Sequence, residues 1–356
     1  MIFTLLIAFF SLIFLVVVHE LGHFILAKKF GAEVEEFGIG YPPRFLGKRI
    51  GKTLYSLNIL PFGAFVKIRG EEGGVEDYRS FAGKPMWQRM SIVLGGVVSF
   101  WLIAAVLLSI VAGGWGLPTA VSDEENENLK DPRIQITQII PDSPAQEADF
   151  RAGDIIIGFE KIGDISNFIS ENKGKEIVLK IKRGQDVFEK KVTPRMTYSQ
   201  DDGPVGFIIT RIALRPYSWA EAPFQGISAT FTLTGNIIKG WVLGVKSLLG
   251  ISQLPEGVKM EMMGPVGILD LLGQYSKMGL NSFLFLVALI AIALALANSL
   301  PIPALDGGKI LFLMIEVIRK KSVNQKIEQR LTAGFFILLI LFVIFVTIKF
   351  DIPRIF

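Results

Sequence analysis

The chain has 356 residues, 51% of them hydrophobic and 20% charged, with a mean hydropathy of +0.48; this balance excludes disorder and is too apolar for an ordinary soluble domain. The net charge of +4, from 37 Lys and Arg against 33 Asp and Glu, lies in no dense basic block, which argues against nucleic acid as a partner. With no cysteine and two histidines, disulfides, thiolate metal sites and cysteine nucleophiles are impossible, and the lipid bilayer is the expected surroundings.

Four runs reach the roughly 20 apolar residues that a spanning helix requires, since nothing inside a bilayer satisfies a free backbone group. In chain order the first is Ile2 to Ala27, which lacks a basic leader and a small-residue cleavage site and is read as a retained span. It contains His19-Glu20-Leu21-Gly22-His23. Positions 19 and 23 lie one above the other on a helix, so both imidazoles can reach one metal ion with Glu20 beside it as general base. Given one histidine, finding the only other one four residues away by chance is roughly 1 in 350, and ionisable groups inside a span are costly and mark function.

The segment 28–90 follows, with Thr53–Leu60, a Pro61-Phe62-Gly63 corner and Ala64–Ile68 patterned as a β-hairpin over 53–70. The second span is Ser91 to Val111, and 112–216 is a soluble region whose alternating runs from about Arg133 to Thr210 predict a small α/β or β-rich domain. Within 217–281, Ile227 to Gly250 is interrupted by Lys239 and Lys246 and is read as an amphipathic surface helix rather than a span. The third span, Ser282 to Leu300, carries Asn298 near its end and runs into Pro301-Ile302-Pro303-Ala304-Leu305-Asp306-Gly307-Gly308, where two prolines break the helix ahead of a carboxylate. A loop over 309–332 leads to the fourth span, Ala333 to Ile348.

Lys28 to Arg89 carries eleven Lys and Arg and Lys309 to Arg330 carries six, so both are expected on the cytoplasmic side, with the termini and the middle region outside. Zinc held by two imidazoles needs a third protein ligand. Glu33, Glu35 and Glu36 would have to fold back into the membrane face, whereas Asp306 follows a span in which Asn298 reaches the depth of His19, both about 25 Å from the outer surface at 1.5 Å per residue. Asp306 is the better candidate, and a Pro-rich cap ending the helix is the alternative meaning of that string.

These motifs resemble the site-2 protease family of intramembrane zinc metalloproteases, in particular the bacterial regulator-of-sigma-E protease group. The resemblance implies one zinc ion per chain on His19, His23 and Asp306, Glu20 as the catalytic residue, and Asn298 as a contact to substrate. Thr53 to Gly70 resembles a membrane-re-entrant hairpin whose edge, Thr53 to Ile68, binds substrate. Phe81 to Phe100 and Gly264 to Ile268 resemble stretches that precede spans in the group. Ile139–Ala145, Phe150–Ile156 and Gly203–Ile208 resemble a PDZ domain, which implies either peptide binding by β-augmentation or a barrier to the membrane site. Where the family has Gly-Pro-x-x-Asn, this chain has Gly95-Gly96-Val97-Val98-Ser99.

The expected fold is therefore a polytopic α-helical protein of the bacterial cytoplasmic membrane, with four transmembrane helices, a membrane-associated β-hairpin and an extracytoplasmic PDZ domain. The expected activity is cleavage of the transmembrane segment of a single-span protein, an anti-sigma factor or remnant signal peptide, in regulated intramembrane proteolysis. A metal transporter or sensor and an inactive PDZ-bearing scaffold are the rivals, and Glu20, which neither requires, counts against both.

Overall fold

The computed structural model describes residues 2–71, 77–125, 128–184, 186–198, 202–251, 262–321 and 323–355. In chain order the elements are α1 (Ile2–Lys29), β1 (Val34–Ile50), β2 (Thr53–Ile68), α2 (Met86–Gly114), β3 (Leu117–Ala120), β4 (Lys130–Ile139), α3 (Pro144–Glu147), β5 (Ile155–Ile157), α4 (Ile162–Glu171), β6 (Ile177–Arg183), β7 (Asp186–Val192), β8 (Phe207–Arg215), α5 (Ala222–Leu248), α6 (Pro265–Lys277), α7 (Leu280–Asn298), α8 (Asp306–Arg319), α9 (Gln325–Val346), a π-helical turn (Thr347–Asp351) and α10 (Ile352–Ile355). They fall into two compact units, one of Met1–Leu107, Met262–Ser276 and Phe285–Phe356, the other of Leu108–Glu261 and Lys277–Leu284. Among the described residues four helices, α1, α2, α7 and α9, are long and apolar enough to cross a membrane. α5 is not one of them, in keeping with the lysines that interrupt its apolar face. Part of the linker after it, 252–261, lies outside the described residues.

In the first unit α1 ends on Lys28 and Lys29, where cations favour the carbonyl end of the helix dipole. Gly31, at φ +70°, then lets Ala32 N–H reach back to the Ala27 carbonyl at 2.8 Å and closes the helix. Ala27, Ala32, Val34, Ile68, Phe81, Ile92, Val93 and Leu313 form a buried core that ties α1, α2, α8 and the β-ribbon together.

The ribbon departs from the expected hairpin. Thr53–Ile68 is one strand, and its two halves pair with β1 rather than with each other. Residues 36–39 lie opposite both 64–67 and 54–57, while 44–50 lie opposite 53–58. The chain reverses at Gly51 and Lys52, with Gly51 at φ +60°, and again at the expected Pro61-Phe62-Gly63 corner, since 54–57 runs in the same direction as 36–39 and 64–67 in the opposite one. The corner residues read as a turn locally, but β1 supplies the partner that they would otherwise need. Consequently 54–57 is paired on both sides, and 64–68 has a strand on one side only among the described residues. At the far end Phe45 and Phe62 are 66% and 65% exposed, an apolar tip on a soluble-looking ribbon.

A second departure is α8. The stretch expected as a loop from 309 begins as a 14-residue helix, because Ile310, Phe312, Leu313 and Glu316 repeat at helical spacing behind Asp306 at the first helical position. The unwound chain is confined to 299–305.

The second unit holds a six-stranded sheet in the order β3-β8-β4-β5-β6-β7. Its core is built from Ile134, Ile136, Ile156, Leu179 and Ile181, inward positions of alternating strands, with Ile165 and Ile169 of α4 and Phe150 of the loop between α3 and β5. β8 was expected to close the sheet at about Thr210. It runs to Arg215 between β4 and β3, so the domain begins at Leu117, earlier than Arg133. The buried Asp154 carboxylate accepts from Arg183 Nε at 2.7 Å and from the Arg151 amide at 2.9 Å, fixing the turn into β5.

Candidate metal centre

His19 and His23 project from α1 one turn apart, and Asp306 approaches them from the first turn of α8. The Nε2 atoms are 3.3 Å apart, and Asp306 Oδ2 is 3.4 Å from each. Tetrahedral zinc bound at about 2.0–2.1 Å has ligand atoms about 3.3–3.4 Å apart. The triangle thus has the dimensions of one face of a zinc site. Asp306 Oδ2 is buried without a hydrogen-bond donor, a costly state for a carboxylate oxygen unless a cation faces it. Among the described residues, these three side chains form a group able to hold a metal ion. Glu20 sits beside them, directed at the backbone of Val66 on β2.

Residues 7–342 match peptidase family M50. The chain belongs to peptidase family M50. A protein of Clostridium perfringens named as a zinc metalloprotease is 36% identical, with 94% of each chain covered. One of Clostridium acetobutylicum named in the same way is 33% identical over 98% of this chain and 97% of its own. The regulator of sigma-W protease RasP of Bacillus subtilis is 27% identical, covering 88% of this chain and 90% of its own. This M50 peptidase is a membrane zinc metalloprotease.

How Asp306 gets to the histidines follows from the two glycines behind it. A side chain at Gly307 would lie 2.2 Å from the Leu300 carbonyl oxygen, and one at Gly308 2.1 Å from that of Ile302. The unwound chain is folded directly over the start of α8, held by Leu305 N–H to the Ile302 carbonyl at 2.8 Å and by Thr332 Oγ1 of α9 to the Pro303 carbonyl at 3.1 Å.

α1 and α2 meet backbone to backbone in this M50 peptidase. A side chain on Gly22 would lie 2.1 Å from the Gly95 carbonyl oxygen, and one on Gly95 2.7 Å from that of Gly22. This closeness lets His23 Nδ1 donate to the Ile92 carbonyl at 2.9 Å, leaving its Nε2 lone pair toward the centre. His19 is 8% exposed and stacks on Phe100, with centroids 4.6 Å apart at 18°.

Asn298 is the last residue of α7. Its Nδ2 donates to the Leu294 carbonyl of its own helix at 3.0 Å. Ser99, at the position of the family's Asn, is buried, and its hydroxyl donates to the Gly96 carbonyl at 2.6 Å, which occupies it inside α2. Glu33 pairs with Lys52, Glu35 with Lys67 and Glu36 with Arg44, so all three serve the ribbon.

Sequence reasoning missed the cavity of about 960 Å³ that Asp306 borders, lined also by Glu71, Arg89, Lys309, Glu316 and Glu328. Arg89 donates to Glu316 at 2.9 Å, Lys309 donates to Glu71, and both cations lie over the buried ring of Phe81. The signal was available in part, since Asp306, Lys309, Glu316 and Phe312 share helical spacing, but only with α8 recognised as a helix.

Proposed function

We propose that this peptidase hydrolyses a peptide bond within the transmembrane segment of a single-span membrane protein, with His19, His23 and Asp306 holding one zinc ion and Glu20 as the general base. The triangle of ligand atoms, matched to zinc on every side, is the observation that carries the reading. The bound ion supplies Lewis acidity at the scissile carbonyl and acidifies the attacking water. Glu20 takes a proton from that water as its oxygen bonds to the carbonyl carbon, then returns it to the amide nitrogen as the C–N bond breaks, giving one carboxylate and one amine.

A helical substrate hides its carbonyls in i to i+4 bonds and must be unwound first. The edge of Ala64–Ile68 is placed to take an extended segment by strand addition. This narrows the substrate edge expected over Thr53 to Ile68, whose first half is paired on both sides. Asn298 gives one Nδ2 hydrogen to Leu294 within its helix and keeps a second amide hydrogen and Oδ1 with which to meet substrate.

We read the six-stranded domain as a PDZ domain, supported by the Ser143-capped α3, by α4, and by the segment Phe207–Thr210 of β8, which precedes Arg211, bonded to Val121, and the four residues paired with β3. That segment offers a strand edge for a peptide. The lysine and arginine distribution supports both termini and this domain outside the cytoplasmic membrane, with the metal centre toward the cytoplasmic face. An anti-sigma factor or remnant signal peptide, already shortened outside, is the substrate class that suits such an arrangement.

The test is purified protein in detergent, supplied with a panel of single-span segments with and without added zinc. Zinc-dependent cleavage inside the apolar stretch is the expected result. Cleavage only of soluble segments would overturn the reading.

A further inference from the structure

We propose that Lys309 and Glu71 are positioning residues, whose ion pair sets Asp306 in place against the end of β2. Asp306 and Lys309 are three residues apart in the first turn of α8, so their side chains leave the same side of that helix. Glu71 lies three residues beyond the end of β2, and its amide donates to the Ile68 carbonyl at 3.1 Å. Its carboxylate is therefore carried by the strand's own end. Lys309 Nζ donates to that carboxylate, and the pair joins the strand with the substrate edge to the helix that brings the third ligand.

The lysines of the ribbon make a contrast. Lys52 and Lys67, paired with Glu33 and Glu35, are 56% and 61% exposed, a setting in which an ion pair contributes little. Lys309 and Glu71 are each 25% exposed, and Lys309 Nζ also lies 5.0 Å from the ring centroid of Phe81. That ring is buried, and its residue is tied back by its amide to the Arg69 carbonyl at 2.8 Å. The ammonium is thus held by two groups anchored just after β2. Two turns further along α8, Glu316 accepts from Arg89 of α2 at 2.9 Å, and Arg89 lies 5.3 Å from the centre of the same ring. α8 is tied at two points, which fixes both its rotation and its advance. With the Lys309 tie released, the helix can turn about the other and carry Asp306 away from the histidines.

Charge alone makes the opposite prediction for one member of the pair. A cation near a metal site repels the metal and an anion attracts it, so through charge alone loss of Lys309 tightens zinc and loss of Glu71 loosens it. Through the position of Asp306, loss of either loosens it.

The inference rests on the reading of Asp306 as a ligand, and the experiment separates the two. Full-length protein in detergent is stripped of metal, and zinc affinity in competition with a chelator and thermal unfolding of the apo form are measured for wild type, Lys309→Met, Glu71→Gln, the double variant, Lys309→Arg and Asp306→Ala. The expected result is that Lys309→Met and Glu71→Gln each weaken zinc roughly 10-fold, the lower end of the range typical when groups that orient metal ligands are removed. The double variant should be no weaker than either single one, because the two act as a unit. Lys309→Arg, which keeps the charge for both the carboxylate and the ring, should bind zinc as the wild type does. Tighter zinc in Lys309→Met, or losses that multiply in the double variant, would overturn the proposal. Wild-type affinity in Lys309→Met, with loss in Asp306→Ala, would overturn the positioning role and leave the ligand standing. Wild-type affinity in Asp306→Ala would refute the ligand reading itself. An apo Lys309→Met that no longer unfolds cooperatively would make the pair a requirement of the fold and also overturn the proposal.

Discussion

Glu20→Gln exchanges a base for an amide of the same shape beside an unchanged triangle. Zinc content should stay at the wild-type level while cleavage falls by roughly 10² to 10⁴, the usual contribution of a general base; elemental analysis beside a peptide-cleavage assay measures both, and wild-type turnover would end the assignment. Asp306→Ala leaves two imidazoles, so zinc and activity should fall together, whereas Asn298→Ala should keep its zinc because that amide is bonded to Leu294. Retained zinc in Asp306→Ala would disprove the third ligand. At this scale the histidines and Glu20 were legible because four residues of helix fix their relation covalently. Asp306 was legible only through the coincidence of depth and helix breaking. The contacts of Ile92 with His23 and of Phe100 with His19 were not legible, because only the packing of a partner helix shows them.

Among the elements, the turn from α7 into α8 depends on glycines opposed by backbone. Gly308→Ala would force its methyl against the Ile302 carbonyl oxygen, so a loss of about 1–3 kcal/mol, the common cost of overpacking, is expected in thermal unfolding, with zinc lost as Asp306 is displaced. An unchanged melting temperature and full zinc content would show that the turn has room to relax. The four helices long and apolar enough to cross a membrane were legible, since a long apolar run is read directly from composition. The ribbon and α8 were not. Thr53–Ile68 holds the local signals of a hairpin, and nothing within it reveals that 34–39 lies between its halves; α8 was hidden because a short amphipathic helix in a basic segment looks like a loop. In the six-stranded domain, Lys190 foremost, with Arg151 and Arg183, holds the Asp149 carboxyl below the usual carboxylate range. A depressed pKa contributes stability above the unfolded value, about 3.9, and that contribution is lost as pH falls below it. Asp149→Asn should therefore melt below wild type at pH 7, with the gap narrowing at pH 3; a gap independent of pH would discount the carboxylate.

For the whole molecule the decisive question is which faces lie on which side of the bilayer. Cysteines can be introduced one at a time into a chain that has none. Ser166→Cys, on the exposed side of α4, should react with an impermeant reagent from outside the cytoplasmic membrane. Lys321→Cys, exposed beyond α8, should react only after permeabilisation. The reverse pattern would invert the topology drawn from the basic loops.

The crossing of α1 and α2 has a mechanical consequence. Ordinary helix pairs are separated by side chains, which yield by changing rotamer and let one helix creep along the other. Here peptide units bear directly on peptide units at Gly22 and Gly95, so the joint works as a keyway: turning or advancing α1 by a fraction of a residue drives carbonyl into carbonyl. α2 must travel with it. The histidines of α1 and the α2 residues that meet them, Ile92 and Phe100, are thereby one rigid casting, and whatever yields to admit a substrate must be sought in parts of the protein hinged outside that joint.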